Sequence, residues 1–178
     1  MKDWTGNNKS VYTTLGASSH SAGERQHEDY YATHPSVIDA LFLVEEFDNP
    51  IWEPACGQGH LSERIKKSGK QVFSSDLIDR GYPDTVVLDF LAPLGDAIKH
   101  SGHYDIITNP PYVFAQEFCE KAIEYANEKV AMFLKLTFLE GGKRKLFFQK
   151  HLPKTVYVFS KRQSCAKNGD FDKSPSSA

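Results

Sequence analysis

Pro50-Ile51-Trp52-Glu53-Pro54-Ala55-Cys56-Gly57-Gln58-Gly59-His60 decides the fold. A short apolar run of strand length is cut by Pro54 and passes through a turn with two glycines spaced G-x-G. It then enters a helical pattern over 60–68 that Gly69 stops. Glycine in such a turn tolerates positive φ and lets a ligand lie against bare backbone. Position 62 is Ser, so the dinucleotide pattern G-x-G-x-x-G is incomplete, and no Gly-Lys-Ser/Thr follows to make a phosphate loop. Glu53, immediately before the turn, would repel a pyrophosphate and attract a cationic amine or sulfonium. A ligand with a positive end and a ribose therefore fits better than NAD or ATP.

Outward from this unit the chain alternates. Residues 71–75 read as a second strand ending at Asp76, 85–88 as a third ending at Asp89, and 104–108 as a fourth ending at Asn109. Fifth and sixth strands are expected over 130–136 and 155–159. A helix starts after Thr33-His34-Pro35 with Val37, Ile38, Leu41, Phe42 and Val44 as its buried stripe, and further helices are expected over 114–129 and 142–151. Alternating strands and helices predict an α/β fold, a doubly wound, mostly parallel sheet with helices on both faces. Ligands in such sheets bind beyond the carboxyl ends of the strands. Those ends carry Glu53, Asp76, Asp89 and Asn109. Asp76 follows Gly59 by seventeen residues, where a carboxylate can bridge two ribose hydroxyls. Asp89 and Phe90 are then placed for an adenine amino group and ring. Each acid taken singly also reads as a helix cap or turn residue.

The chain has 178 residues, 40% of them hydrophobic and 25% charged, which fits one soluble domain with a real core. It contains no run of eighteen apolar residues that would span a membrane. Its polar start lacks a signal-peptide core, so a cytoplasmic location is expected. Cys56, Cys119 and Cys165 form no Cys-x-x-Cys pair and read as reduced thiols, Cys56 packing as a small apolar group. His20, His27 and His34 recur every seven residues, but no carboxylate or cysteine completes a ligand set, so no metal is expected. Net charge is −2. Residues 135–173 hold ten Lys/Arg against three acids, a local +7, while the remainder carries −9. That asymmetry suits a polyanion on one face, and equally a solvated lysine-rich helix and loop. Phe171, in the basic segment, can be read as reaching a flipped base or as part of a loose tail.

The fourth strand runs into Asn109-Pro110-Pro111-Tyr112. Two prolines end the strand and remove two backbone donors, leaving a stiff turn of carbonyl oxygens, one amide and an aromatic ring. Together these residues resemble the amino-methyltransferases that use S-adenosylmethionine, especially DNA adenine-N6 methyltransferases whose cofactor motifs precede the catalytic one. The resemblance covers residues 28–160 and implies a Rossmann-like class I methyltransferase fold. By that resemblance Tyr31, Thr33 and Pro35 cap the methionine part of the cofactor, and Glu53, Pro54, Ala55, Gly57 and Gly59 form its loop. Asp76 and Leu77 would take the ribose and Asp89 and Phe90 the adenine. Asn109, Pro110, Pro111 and Tyr112 match the catalytic [Asp/Asn/Ser]-Pro-Pro-[Tyr/Phe] motif without departure. The implied partner is adenine-containing DNA. The arm around 14–18 and the short length are similar to phage-encoded enzymes of this type.

Two departures stand out. The family's sheet normally gains a seventh, antiparallel strand beside the fifth, and no apolar run after Phe159 supplies it. No separate target-recognition domain is expected within these 178 residues. The expected layout is an irregular arm over 1–28, a catalytic domain over 29–160 and a basic, flexible segment over 161–178. Methyltransferases of ribosomal RNA guanine and of release-factor glutamine share Asn-Pro-Pro-Tyr, and cytosine-N4 transfer is a further variant. A catalytically silent nucleic-acid-binding relative and a dinucleotide oxidoreductase are the rivals of other classes.

Overall fold

The computed structural model describes residues 31–93, 103–161, 163–167, 171 and 176–177. The arm over 1–28, with His20 and His27, lies outside the described residues. The chain forms β1 (Tyr31–Thr33), α1 (Ser36–Phe42), β2 (Ile51–Glu53), α2 (His60–Lys67), β3 (Val72–Asp76), β4 (Thr85–Val87) and β5 (Asp105–Thr108). Then follow α3 (Ala115–Tyr125), β6 (Val130–Met132), α4 (Lys145–Lys150), β7 (Ser164–Lys167) and β8 (Ser176–Ser177). Five strands make an all-parallel sheet in the order β4-β3-β2-β5-β6.

Both faces of that sheet are covered, and the side chains alternate between them with the two-residue period of a strand. Ile51, Val72, Ile107 and Ala131 face Ile38, Leu41 and Phe42 of α1, Phe47, and Leu61 and Ile65 of α2. Their chain neighbours Trp52, Phe73, Ile106, Val130 and Met132 face the other way, onto Phe118 and Ala122 of α3 and onto Phe90. Trp52 stands edge-on to Phe90 at 5.1 Å between centroids and donates its Nε1–H to Ser75 Oγ at 2.9 Å. Asp105, wholly buried at the start of β5, accepts from the Lys129 amide at 2.8 Å and the Asn49 side chain at 3.3 Å. It thereby pins the loops before β2 and β6 to the sheet.

Several expectations are corrected. Residues 155–159, read as a sixth strand for their β-branched content, join no ladder. They are held by side chains instead, with the Tyr157 hydroxyl donating to Glu45 at 2.8 Å and Phe159 edge-on to Phe133. The fifth strand stops at Met132 and gives way to a 3-10 turn over Leu136–Leu139. The first helix ends at Phe42, which leaves Val44 exposed instead of in the buried stripe. An antiparallel strand does exist after Phe159. It is β7, which lies away from the parallel sheet and pairs with β1, matching Tyr31 to Lys167 and Thr33 to Cys165. Small residues make this strand: Cys165 and Ala166 are buried although the run is too short and polar to announce itself. Part of the segment read as a loose tail is therefore a strand of a second, three-stranded sheet, β1-β7-β8. No helix among the described residues is long and apolar enough to cross a membrane.

Gly59 caps α2 at φ +80°, and a Cβ there would clash with the Tyr82 ring. Tyr82 cannot yield easily, because its hydroxyl donates to Glu63 at 2.8 Å and accepts from Lys66 at 2.6 Å. Gly81 has a similar φ of +82° with nothing within 4 Å of an added Cβ. Gly81→Ala is expected to cost about 1–2 kcal/mol of backbone strain, and Gly59→Ala about 1–3 kcal/mol more from overpacking. Urea unfolding midpoints of the two variants check this; equal midpoints would contradict the packing role of Gly59.

Candidate active site

The parallel ladder sets the carboxyl ends of β2, β3 and β5 side by side, and one cavity of about 500 Å3 opens beyond them. Its wall includes Thr33 from β1, Glu53, Pro54 and Ala55 after β2, Asp76 and Leu77 after β3, and Asp89 and Phe90 after β4. Asn109, Pro110, Pro111 and Tyr112 after β5 complete it. Twelve of the sixteen residues expected from the sequence thus line a common space. The volume lies within the roughly 300–1,000 Å3 usual for small-molecule sites.

The glycine turn supports this wall from behind. Gly57 donates its N–H to Asp76 Oδ2 at 2.8 Å and Ile78 donates to Oδ1 at 3.0 Å, so the Asp76 carboxylate is fixed by backbone on both oxygens. The Cys56 amide reaches back to the Ser75 carbonyl at 3.0 Å. Gly57 and Gly59 are therefore correctly placed in the turn but do not line the cavity. Gly59 makes its close approach to Tyr82, not to open ligand space. Pro35 begins α1 and is also absent from the wall, while Tyr31 contributes backbone pairing to β7. Asp89, exposed at the rim, accepts the Leu91 N–H at 2.9 Å, the turn role its sequence context allowed. Phe90 belongs to the core as much as to the cavity, packed 5.0 Å from Phe118.

Glu53 is the electrostatic oddity. It is only 2% exposed, and burial pushes its carboxyl up to about 8, with Asp76 raising it further and the Ser62 hydroxyl partly opposing. Ser62 donates to Glu53 Oε2 and stands 2.6 Å from Ser74 Oγ, so a small hydroxyl pair holds the acid from beneath. At neutral pH the carboxyl is mostly protonated. A cationic ligand beside it would draw it back to the charged form.

Asn109 follows β5 and is tied across to the other sheet, its Nδ2 donating to Thr33 Oγ1 at 2.6 Å. That bond sets the amide's orientation, nitrogen to the hydroxyl, and makes Oδ1 its acceptor atom. Pro111 at φ −55°, ψ 125° turns the chain into the 3-10 turn Tyr112–Phe114 that leads into α3. Lys135 places its ammonium 4.5 Å above the Tyr112 ring.

Sequence reasoning missed Arg80, whose Nε lies 3.9 Å from Asp76 Oδ1 on the same wall; its spacing four residues on from Asp76 was the available signal. It missed His60 and the apolar lining of Ile78, Leu91 and Phe114 as well. Cys56 also lines the cavity, its thiol pushed up to about 12 chiefly by burial, which fits a packing group and not a nucleophile. Phe171 stands edge-on to His34 and His60 at 5.2 and 5.3 Å, a packing role instead of a reach towards a base. Phe147 and Phe148 of α4 pack on Phe138. Set beside protein-family models and curated proteins, the chain matches none.

The raised Glu53 carboxyl has a signed consequence. Its folded value of about 8 exceeds the unfolded 4.5, so its stabilising share is complete below 4.5 and is lost as pH rises to about 8. Glu53→Gln keeps the shape without the titration. The stability of this variant relative to wild type is expected to rise by up to about 1.4 kcal/mol per pH unit across that window and then level off. Urea denaturation at a series of pH values measures it; a difference that does not vary with pH would contradict the neutral buried acid.

Proposed function

We propose that this protein transfers a methyl group from S-adenosylmethionine to the exocyclic N6 amine of adenine in DNA. The observation that carries the reading is the convergence of Glu53, Asp76, Asp89 and Asn109-Pro110-Pro111-Tyr112 on one cavity, the first three being acids. Among the described residues of the wall, three acids stand against one guanidinium, Arg80, which lies beside Asp76; that balance suits a cationic nucleoside better than a nucleotide phosphate. The cofactor would supply an electrophilic methyl on a sulfonium. Asp76, already oriented by two amides, would accept the ribose hydroxyls, and Glu53 would meet the positive end. Phe90, Leu77 and Ile78 offer apolar surface to the purine.

The exocyclic amine of adenine is a poor nucleophile because its lone pair is delocalised into the ring. Asn109 Oδ1 and the Pro110 carbonyl accept the two N–H hydrogens, which tips the nitrogen towards tetrahedral geometry and frees the lone pair. Thr33 holds the Asn109 amide in the orientation this requires. Tyr112 stacks on the base once it leaves the duplex, offsetting part of an unstacking cost of a few kcal/mol. The nitrogen would take the methyl as the S–C bond breaks, the sulfonium leaving as a neutral thioether and the surplus proton of the methylated amine passing to solvent. Positioning then supplies much of the rate, and no general base with a matched pKa is needed.

Incubation with labelled-methyl cofactor and a panel of DNA, RNA and glutamine-containing peptide acceptors tests the reading, followed by nucleoside analysis. Label in N6-methyladenine of DNA is expected. Label in RNA or peptide alone, or in none, would overturn it. Asn109→Ala is expected to lower turnover at least about a thousandfold with cofactor affinity within about threefold of wild type, and Asp76→Asn to weaken that affinity about tenfold or more. Near wild-type turnover in the first variant would remove Asn109 from the chemistry.

A further inference from the structure

Tyr112 is shared between two spaces. It lines the large cavity and also a second cleft of about 120 Å3 formed with Ala115, Leu134, Lys135, Thr137, Phe138 and Arg144. The segment over 135–154 that builds this cleft carries six Lys/Arg against one acid, Glu140. These cations are not equivalent. Arg144 is an internal strut, stacked 4.9 Å over Phe138 and donating to the carbonyls of Phe138 at 2.6 Å, Thr137 at 3.1 Å and Glu140. It closes the 3-10 turn over Leu136–Leu139 and spends its donors on backbone. Lys143 and Lys145, flanking it in sequence, are exposed, as is Lys135. Neither Lys143 nor Lys145 makes an ion pair among the described residues.

We propose that Lys135, Lys143 and Lys145 form a phosphate-contacting strip that holds the backbone of a nucleic acid beside Tyr112. The inference rests on the reading given under Proposed function for the class of substrate, and it assigns that substrate a surface. Basic side chains interleaved with an aromatic ring suit a polyanion whose bases carry π-faces better than a polyacidic peptide, whose Asp and Glu side chains have no ring to offer Tyr112. Lys135 links the two features because its ammonium rests on the ring itself. A phosphate that draws Lys135 off Tyr112 would uncover that face of the ring while fixing the strand next to the cavity. Backbone binding and base capture are thereby coupled through one side chain.

The test is fluorescence anisotropy with a short labelled oligonucleotide, single-stranded and duplex, titrated between about 50 and 200 mM salt. It uses the full chain and needs no methyl transfer. Lys143→Glu with Lys145→Glu is expected to weaken binding at least about tenfold at low salt, and to flatten the log–log salt slope by about 0.7–0.9 per lost contact. Lys135→Met, which keeps the stem, is expected to flatten it by one contact. Lys67→Glu, at the last residue of α2, serves as the control and is expected to bind as wild type. Unchanged urea midpoints exclude unfolding as the cause; if the double variant is destabilised, Lys143→Gln with Lys145→Gln gives the same comparison. Oligonucleotide binding that ignores these substitutions, or that polyglutamate binding matches in affinity and in dependence on the strip, overturns the proposal. Strip-dependent binding without transfer would sink the enzymatic reading and leave this surface standing; transfer indifferent to the strip would do the reverse.

Discussion

The parallel hydrogen-bond ladder that places β2 between β3 and β5 is the constraint on which the rest depends. Parallel pairing puts all carboxyl ends on one edge, so whatever follows each strand is delivered to the same place. The ladder survives because both faces are buried: Ile51, Val72 and Ile107 on one side, Trp52, Phe73 and Ile106 on the other. Each strand contributes only three to five residues. Its specificity therefore lies in the alternation, since a one-residue slip would exchange the two cores.

Three acids at one edge would repel one another in a bare cavity, and the structure meets that cost in different ways. Asp76 is held by two backbone amides with Arg80 nearby. Asp89 stays at the rim, in contact with solvent. Glu53 is buried and mostly neutral over its Ser62–Ser74 hydroxyl pair. Opposite them, Thr33 fixes the Asn109 amide, so the small sheet of β1, β7 and β8 orients a group delivered by the large one. Under the proposed methyl transfer, the acid wall would offer a place for a cation and the amide-and-carbonyl turn a grip on an NH2 group.

Much of this was legible in the chain because strand ends and their polar residues are local patterns. The runs ending at Glu53, Asp76 and Asn109 and the glycine turn needed no tertiary information. What was not legible depends on distant partners. Val156, Tyr157 and Val158 have strand composition but no ladder, and composition cannot supply a neighbour. Ser164–Lys167 forms a strand between Tyr31–Thr33, more than 130 residues away in sequence, and Ser176–Ser177. The G-x-G pattern at Gly59 suggests room for a ligand, whereas Tyr82 fills the space beside it. Arg80 and the Ser62–Ser74 pair carry no motif at all, and their roles follow from where the sheet leaves them.

The central claim is that the acid wall and Asn109-Pro110-Pro111-Tyr112 bound one cofactor-sized site. A crystal structure with S-adenosylhomocysteine tests it most directly. The account predicts density beyond β2 and β3, with the ribose on Asp76 and the amino acid end beside Glu53, and the sulfur pointing towards Asn109. A ligand bound elsewhere, or one whose sulfur is walled off from Asn109, would contradict it.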